Sequence, residues 1–332
     1  MKFSTIYRYT RIPLVLLLAL LFPLFAPNNY WLHIANIAGI FAICSLSLNL
    51  LTGCTGLFSV GHIAFYGLGS YTAAILSTRL ELPFYVTLPC AGLVAMVFGL
   101  LLGIPTLRLK GLYLGVATLA FGEIAYQVFV NWDAVTNGTR GILGIPSPVL
   151  LGFEFRDYKS YYYLVLFFLV LVIILCRNLI HSRTGRALLS IRENAIAAEA
   201  MGINIVRYKM IAFAASAFFA GIAGALYAYE VHFISPESFV GAESVSVLAM
   251  MVVGGIGSIP GSVVGAIVLS VIPEVLRSAG DIRLVLYGAA IVGIIIFAPK
   301  GLGGAIEWVD NRLCGRYKPK AKNEKGGAVD EQ

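Results

Sequence analysis

Chemistry needs particular side chains at particular spacings, and this 332-residue sequence has the side chains without the spacings. A phosphate cradle of the form G-x-x-x-x-G-K-[ST] requires glycine followed by lysine, and that dipeptide does not occur. No H-E-x-x-H motif puts two imidazoles on one helix face, and the four histidines lie far apart. A G-x-S-x-G nucleophile elbow is also absent. Cys44, Cys54, Cys90, Cys176 and Cys314 form no C-x-x-C pair and read as small apolar fillers. The expectation is no catalytic residue, no metal ligand set and no cofactor.

Three groups remain that could act on something. Glu123 lies inside an apolar run, where an unpaired carboxylate is costly and usually faces a bundle interior or water. It reads as a polar group of a cavity, or as a structural acid paired with a neighbouring helix. His62 sits among Gly53, Gly56, Ser59, Gly61, Gly67 and Gly69. Small residues at that density let helices approach closely. Alternatively, Gly53 to Gly61 lines a path with exposed backbone. A second glycine-interrupted block, Gly254 to Gly265 with Gly257, echoes the first in the later half. Paired broken segments in two halves are a pointer to transport sites.

The third group is polar: GRALLSIRENAIAAEAMGINIVRYK, Gly185 to Lys209. Ser190 followed by Glu193 reads as a capping box opening a helix of about three turns, and Gly202 supplies its stop. On that helix Ile191, Ala195 and Ala198 share a small apolar face, while Arg192 and Glu199 point elsewhere. A short charged helix with such a face can seat in a groove on a partner. It can equally be a plain connector.

The elements that position these residues must sit in lipid. Hydrophobic residues make up 59% of the chain and charged residues 12%, about half the charged share of a soluble domain. Mean hydropathy is +0.85. The net charge of +7 and pI near 9.1 do not signal nucleic acid, because the basic residues gather in loops beside apolar spans. Spans are expected at 12–27, 31–52, 57–78, 84–105, 111–131, 161–180, 210–230 and 284–299, with two short pieces at 244–258 and 261–276. Gly257, Pro260 and Gly261 interrupt that pair, which is either two short crossings or one re-entrant hairpin. The expectation is an all-α polytopic bundle of eight to ten transmembrane helices.

Lys2, Arg8 and Arg11 precede the first run, but Leu24 and Pro27 do not suit a cleavage after Ala26, so that run reads as an uncleaved helix. Arg108 and Lys110 precede the fifth span, six Lys or Arg lie in 177–209, and seven follow Pro299. By contrast 231–243 carries Glu237 and Glu243 with no Lys or Arg. The bias places both termini in the cytoplasm. Residues 1–299 then form the membrane domain, with a cytoplasmic segment at 181–209, and 300–332 form a basic cytoplasmic tail.

GRALLSIRENAIAAEAMGI resembles the cytoplasmic coupling segment of permease subunits from branched-chain amino-acid ABC importers, of the LivM type. The likeness extends to Leu48–Leu76, Leu107–Ile124, Asn137–Ile142, Ile234–Phe239 and Leu248–Ile267, roughly three quarters of the chain in order. It departs at Ala195, where an acid is common, and at Pro260, where a bulky residue is. The resemblance implies a permease of the bacterial inner membrane that moves leucine, isoleucine or valine inward. It further implies two cytoplasmic ABC ATPase subunits, a second homologous permease, a periplasmic or extracellular solute-binding protein and surrounding membrane lipid as partners, with no nucleic acid. Gly185, Arg186, Ile191, Arg192, Glu193, Ala195, Ala198, Glu199 and Gly202 would be the ATPase-coupling residues. Gly53, Gly56, Ser59, Gly61, His62, Glu123, Gly254 and Gly257 are the candidates for the translocation path. The alternatives are a stand-alone ion-coupled secondary transporter, a permease for urea or short amides, and a membrane-embedded enzyme. With no phosphate loop, the purified chain alone should neither hydrolyse ATP nor bind it at micromolar concentrations. A phosphate-release assay with equilibrium dialysis checks this, and turnover in a preparation free of other subunits contradicts it.

Overall fold

The computed structural model describes residues 17–25, 28–106, 109, 111–150, 152–298 and 301–304. Residues 17–25 are helical; the rest of the expected first span and most of the basic tail lie outside the described residues, as do Arg108 and Lys110. The helices are α1 (Asn29–Thr55), α2 (Ile63–Thr78), α3 (Phe84–Thr106), α4 (Leu112–Asn131), α5 (Tyr158–His181), α6 (Arg183–Glu193), α7 (Ala195–Ala200), α8 (Ile205–Val231), α9 (Gly241–Gly254), α10 (Ile259–Val275) and α11 (Arg283–Phe297). Five of them, α1, α3, α4, α5 and α8, are long and apolar enough to cross a membrane. Two-residue strands join the loops around the end of α8: Ile142–Leu143 pairs antiparallel with Phe233–Ile234, and Val149–Leu150 with Phe153–Glu154.

Helix α1 is the axis of the bundle, buried from Leu32 to Thr55 along most of its faces. Its hydroxyl and amide side chains therefore need partners inside the protein. Ser216 donates to the Ser47 carbonyl (2.8 Å), and the Ser47 hydroxyl lies between the Cys44 carbonyl (2.6 Å) and His62 Nε2 (2.7 Å).

Lipid tails are as apolar as leucine, so helices in a membrane gain by close packing rather than by hiding oily surface. Helices α2, α3 and α8 pack through bare backbone. A Cβ on Gly69 would lie 2.2 Å from the Gly221 carbonyl, one on Gly224 1.9 Å from that of Tyr66, and one on Gly99 2.5 Å from Ala217 Cβ. Ser70 adds a hydrogen bond to the Gly224 carbonyl at 2.7 Å. Beyond the end of α8, Phe239 in the turn Pro236–Phe239 packs among Tyr66, Tyr71, Tyr227 and Phe129.

One expectation is corrected. The span expected at 57–78 is helical only from Ile63, because residues 56–62 form a non-helical link. Gly56 adopts a left-handed conformation (φ 72°) that ends α1, and Gly61 comes so close to α4 that a Cβ would lie 1.8 Å from the Thr118 carbonyl. The pair expected at 244–276 is present as two helices. Helices α9 and α10 form an antiparallel hairpin bent at residues 255–258, where Gly255 and Gly257 have φ of 112° and 86°. Helix α10 packs against α1: Asn49 donates to the Ser258 carbonyl at the start of α10, and Arg277, in the 3-10 turn that follows α10, donates to the Tyr30 hydroxyl (2.6 Å) near the start of α1. Helix α9 is shorter, and its Ser244 hydroxyl accepts from the Ile63 amide (3.2 Å), so the N-termini of α2 and α9 meet inside the protein.

The packing predicts a contrast between two glycines. Gly224→Ala drives a Cβ into the rigid Tyr66 backbone and should cost about 1–3 kcal/mol or more, as overpacking does. Gly288→Ala in α11, with open space around its Cβ position, should be neutral or mildly stabilising. Thermal unfolding of the two variants in detergent checks this; equal melting temperatures would refute the close-packing account.

Candidate functional site

The polar stretch after α5 forms two helices rather than one. Ser182 caps α6 by accepting from the Gly185 amide (3.2 Å), and Asn194 caps α7 by accepting from the Ala197 amide (3.0 Å). Ser190 lies inside α6, where its hydroxyl donates to the Arg186 carbonyl, so the expected capping box with Glu193 does not form. Asparagine 194 competes for the backbone where the expected helix would have run on, and it breaks the helix there. The expected stop holds: Gly202 is left-handed (φ 82°), and the Ile203 amide closes on the Ala198 carbonyl at 3.0 Å. Gly185 is needed at the α5–α6 turn, because a Cβ there would lie 2.0 Å from the Ile180 carbonyl.

That break changes which side chains face out. Ile191 and Ala198, expected on an outward apolar face, are turned into the protein, each about 5% exposed or less, and Ala195 is half-buried. Outward instead are Ile196 (81% exposed) and Met201 (83%), with Arg186, Glu193 and Glu199 around them. The expected face assumed a single helical phase across Asn194.

Arg192 is expected to point away from the small apolar face of that helix. Its guanidinium reaches back to the membrane helices and donates to the Gly53 carbonyl at the end of α1. The two glycine blocks that echo each other in sequence are in contact here. A Cβ on Gly53 would lie 2.9 Å from Gly257 N and Cα. Asn49 accepts from the Gly257 amide (2.7 Å), and its amide nitrogen donates to the Ser258 carbonyl (3.2 Å). Gly254 packs within the hairpin, where a Cβ would lie 2.3 Å from the Gly261 carbonyl. Gly53, Gly61, Gly254 and Gly257 are thus positions of close approach. Gly56 ends a helix. Ser59 and His62 are buried beside them, with the His62 ring also edge-on to Phe65.

Glu123 stands apart from this cluster. It lies on the outward face of α4, and among the described residues it accepts from Gln127 (3.1 Å) on its own helix rather than from a neighbouring one. Gln127 in turn accepts from Asn131 (3.2 Å), so three polar side chains at intervals of four run down one exposed face. They line an open groove of about 790 Å³ with Ala120, Ile124, Val128 and Trp132.

One polar centre escaped the sequence reading. Glu230, near the end of α8, is 5% exposed and accepts from Asn36 (3.1 Å), with His33 Nδ1 at 2.8 Å. It also lines a cavity of about 370 Å³ with Arg156, Tyr158, Tyr161, Tyr229 and His232. Its signal was the lone carboxylate at the end of a 27-residue apolar helix, hidden by its position at a span boundary.

Comparison with known proteins agrees with this architecture. Residues 30–298 match the family model described as branched-chain amino acid transport system / permease component. The high-affinity branched-chain amino acid transport system permease protein LivM of Escherichia coli (strain K12) is 37% identical, over 90% of this chain and 76% of the relative. LivM of Salmonella typhimurium matches at the same identity and coverage. The autoinducer 2 import system permease protein LsrC of Salmonella typhi is 23% identical over 82% of this chain and 80% of the relative. No solved structure matches the chain. A helical bundle built on broken, glycine-packed segments and matched over nearly its whole length in this way is not a stand-alone secondary transporter or a membrane enzyme: the chain belongs to the permease family of branched-chain amino-acid ABC importers.

Proposed function

We propose that this permease forms one half of a translocation path for leucine, isoleucine and valine, and that α4 lines that path. The observation that carries the reading is the stripe of Glu123, Gln127 and Asn131 on the outer face of an apolar helix. A carboxylate and two amides facing lipid would each be expensive, so such a face belongs against water or protein. A second, homologous permease closing over it would leave a hydrated channel between the two chains. The 37%-identical relatives, named for branched-chain amino acids, support that solute class.

The remaining parts follow from the same arrangement. Helices α6 and α7 lie on the side of the bundle where α1 ends, with Arg177, Arg183, Arg186, Arg192 and Arg207 around them. That basic excess favours the cytoplasm and, with it, cytoplasmic termini and the bacterial inner membrane. Two ABC ATPase subunits would bind here, one on each permease, with Ile196 and Met201 as the apolar knobs that enter a groove. A solute-binding protein would dock on the opposite face, formed by 132–157 and 232–240. Residues 1–299 would form the membrane unit and 300–332 a cytoplasmic tail.

Two experiments test the reading. In a cysteine-free background, Glu123→Cys and Gln127→Cys in the assembled transporter should react with a charged, water-soluble thiol reagent, while Ala125→Cys, on the buried face of the same helix, should not. Inert 123 and 127 positions would place the stripe in lipid or in a dry interface and reject the path. Ile196→Arg should insert normally and lose the ATPase subunits on purification. Burying an unpaired charge in such a groove costs a few kcal/mol, and each ~1.4 kcal/mol is tenfold in affinity. Intact ATPase binding in that variant would move the docking face elsewhere.

A further inference from the structure

Arg192 is exposed as a residue, yet its guanidinium sits in a socket made of glycines. Nη1 donates to the Gly53 carbonyl. That carbonyl lies in the last turn of α1, where helix carbonyls lack intrahelical donors and the helix dipole favours a cation. The Leu57 amide, which a continuing helix would have supplied, donates instead to Thr55 Oγ1 (3.1 Å). The Arg192 stem crosses Gly56, where a Cβ would lie 3.4 Å from Cγ, and a Cβ on Gly257 would lie 3.3 Å from Nη1. Larger residues at these positions would crowd the guanidinium.

What the socket is attached to gives it a role. Asn49 binds the Gly257 amide and the Ser258 carbonyl, so the end of α1 and the α9–α10 bend move as one body. The helical residues 301–304 press on the same bend, since a Cβ on Gly301 would lie 2.5 Å from Gly255. The non-helical residues 56–62 leave from the end of α1 and pass Thr118 of α4, whose hydroxyl accepts from the Val60 amide (3.0 Å). Arg192 therefore ties α6 to the junction of both broken segments, one of which leads to the helix carrying Glu123.

We propose that Arg192 is a positioning residue for transport: the pin through which displacement of α6 and α7 is delivered to the end of α1 and the α9–α10 bend together. The proposal rests on the reading of α6–α7 as the ATPase-docking segment. A guanidinium suits the task, being planar, permanently charged and able to hold its donors in a fixed fork. Buried Leu188 and Ile191 seat α6 against the bundle, but apolar contacts slide, whereas the bond to Gly53 has a direction.

The test uses the complete transporter in proteoliposomes, with ATPases, second permease and binding protein, and compares the wild type with Arg192→Gln and Arg192→Lys. Three quantities are measured: ATPase retained on purification, ATP hydrolysis with leucine-loaded binding protein, and labelled leucine taken up per ATP. Arg192→Gln should keep its ATPases and continue to hydrolyse ATP, while leucine per ATP falls at least tenfold. Arg192→Lys should recover part of that ratio, since an ammonium can donate to Gly53 without the fork. An unchanged ratio in Arg192→Gln overturns the proposal, as does a parallel fall in uptake and hydrolysis, which marks a merely structural tie. Loss of the ATPases would make Arg192 a docking contact and also overturns it. If Arg192→Gln does not accumulate, Arg192→Lys decides: a lowered ratio supports the pin, and a wild-type ratio rejects it. Failure of the docking reading is scored separately, by ATPases that stay bound to Ile196→Arg.

Discussion

A helix interrupted inside a membrane frees amides and carbonyls that water cannot reach, and each one left unpaired costs free energy comparable to a lost hydrogen bond. The organisation around residues 53–63 and 254–258 follows from meeting that requirement. The Val60 amide goes to Thr118, the Ile63 amide to Ser244, the Gly257 amide to Asn49 and the Gly53 carbonyl to Arg192. Each partner comes from a different element, so satisfying the two breaks fixes α4, α9, α1 and α6 relative to one another. The breaks are thus the points at which the bundle is joined.

The same constraint explains why glycine is so abundant here. A side-chain donor can reach a broken backbone only if the two chains approach closely, and glycine permits that approach at Gly61 against Thr118 and at Gly53 against Gly257. Elsewhere in the bundle bare backbone does a different job. At Gly69, Gly99 and Gly224 it brings whole helices together, and there the gain is dispersion contact rather than hydrogen bonding.

The two carboxylates in the five helices long enough to cross a membrane show opposite solutions to one cost. Glu230 is buried beside donors from α1, which binds the start of α1 to the end of α8. Glu123 is turned outward, where its own helix supplies a single amide. A carboxylate so placed would be costly against lipid, and that cost is what motivates the proposed second permease over α4.

The amino-acid sequence by itself determined that the protein is an all-α membrane bundle, because apolar run length and the Lys/Arg bias are local properties that survive without knowledge of packing. It also determined the family, through ordered motifs spanning most of the chain, and the stop at Gly202, since a left-handed turn is a property of one residue. Only the tertiary structure decided which side of α6 and α7 faces out, because a single cap at Asn194 resets the helical phase and turns Ala198 inward and Ile196 outward. It likewise decided that residues 56–62 are not helical and that the two glycine blocks touch, since Gly53 and Gly257 are 204 positions apart and nothing local records their contact. The hydrogen-bond partners of Arg192, Asn49 and Glu230 were invisible for the same reason: a polar side chain's partner is set by three-dimensional proximity, and a sequence of isolated apolar spans does not contain it.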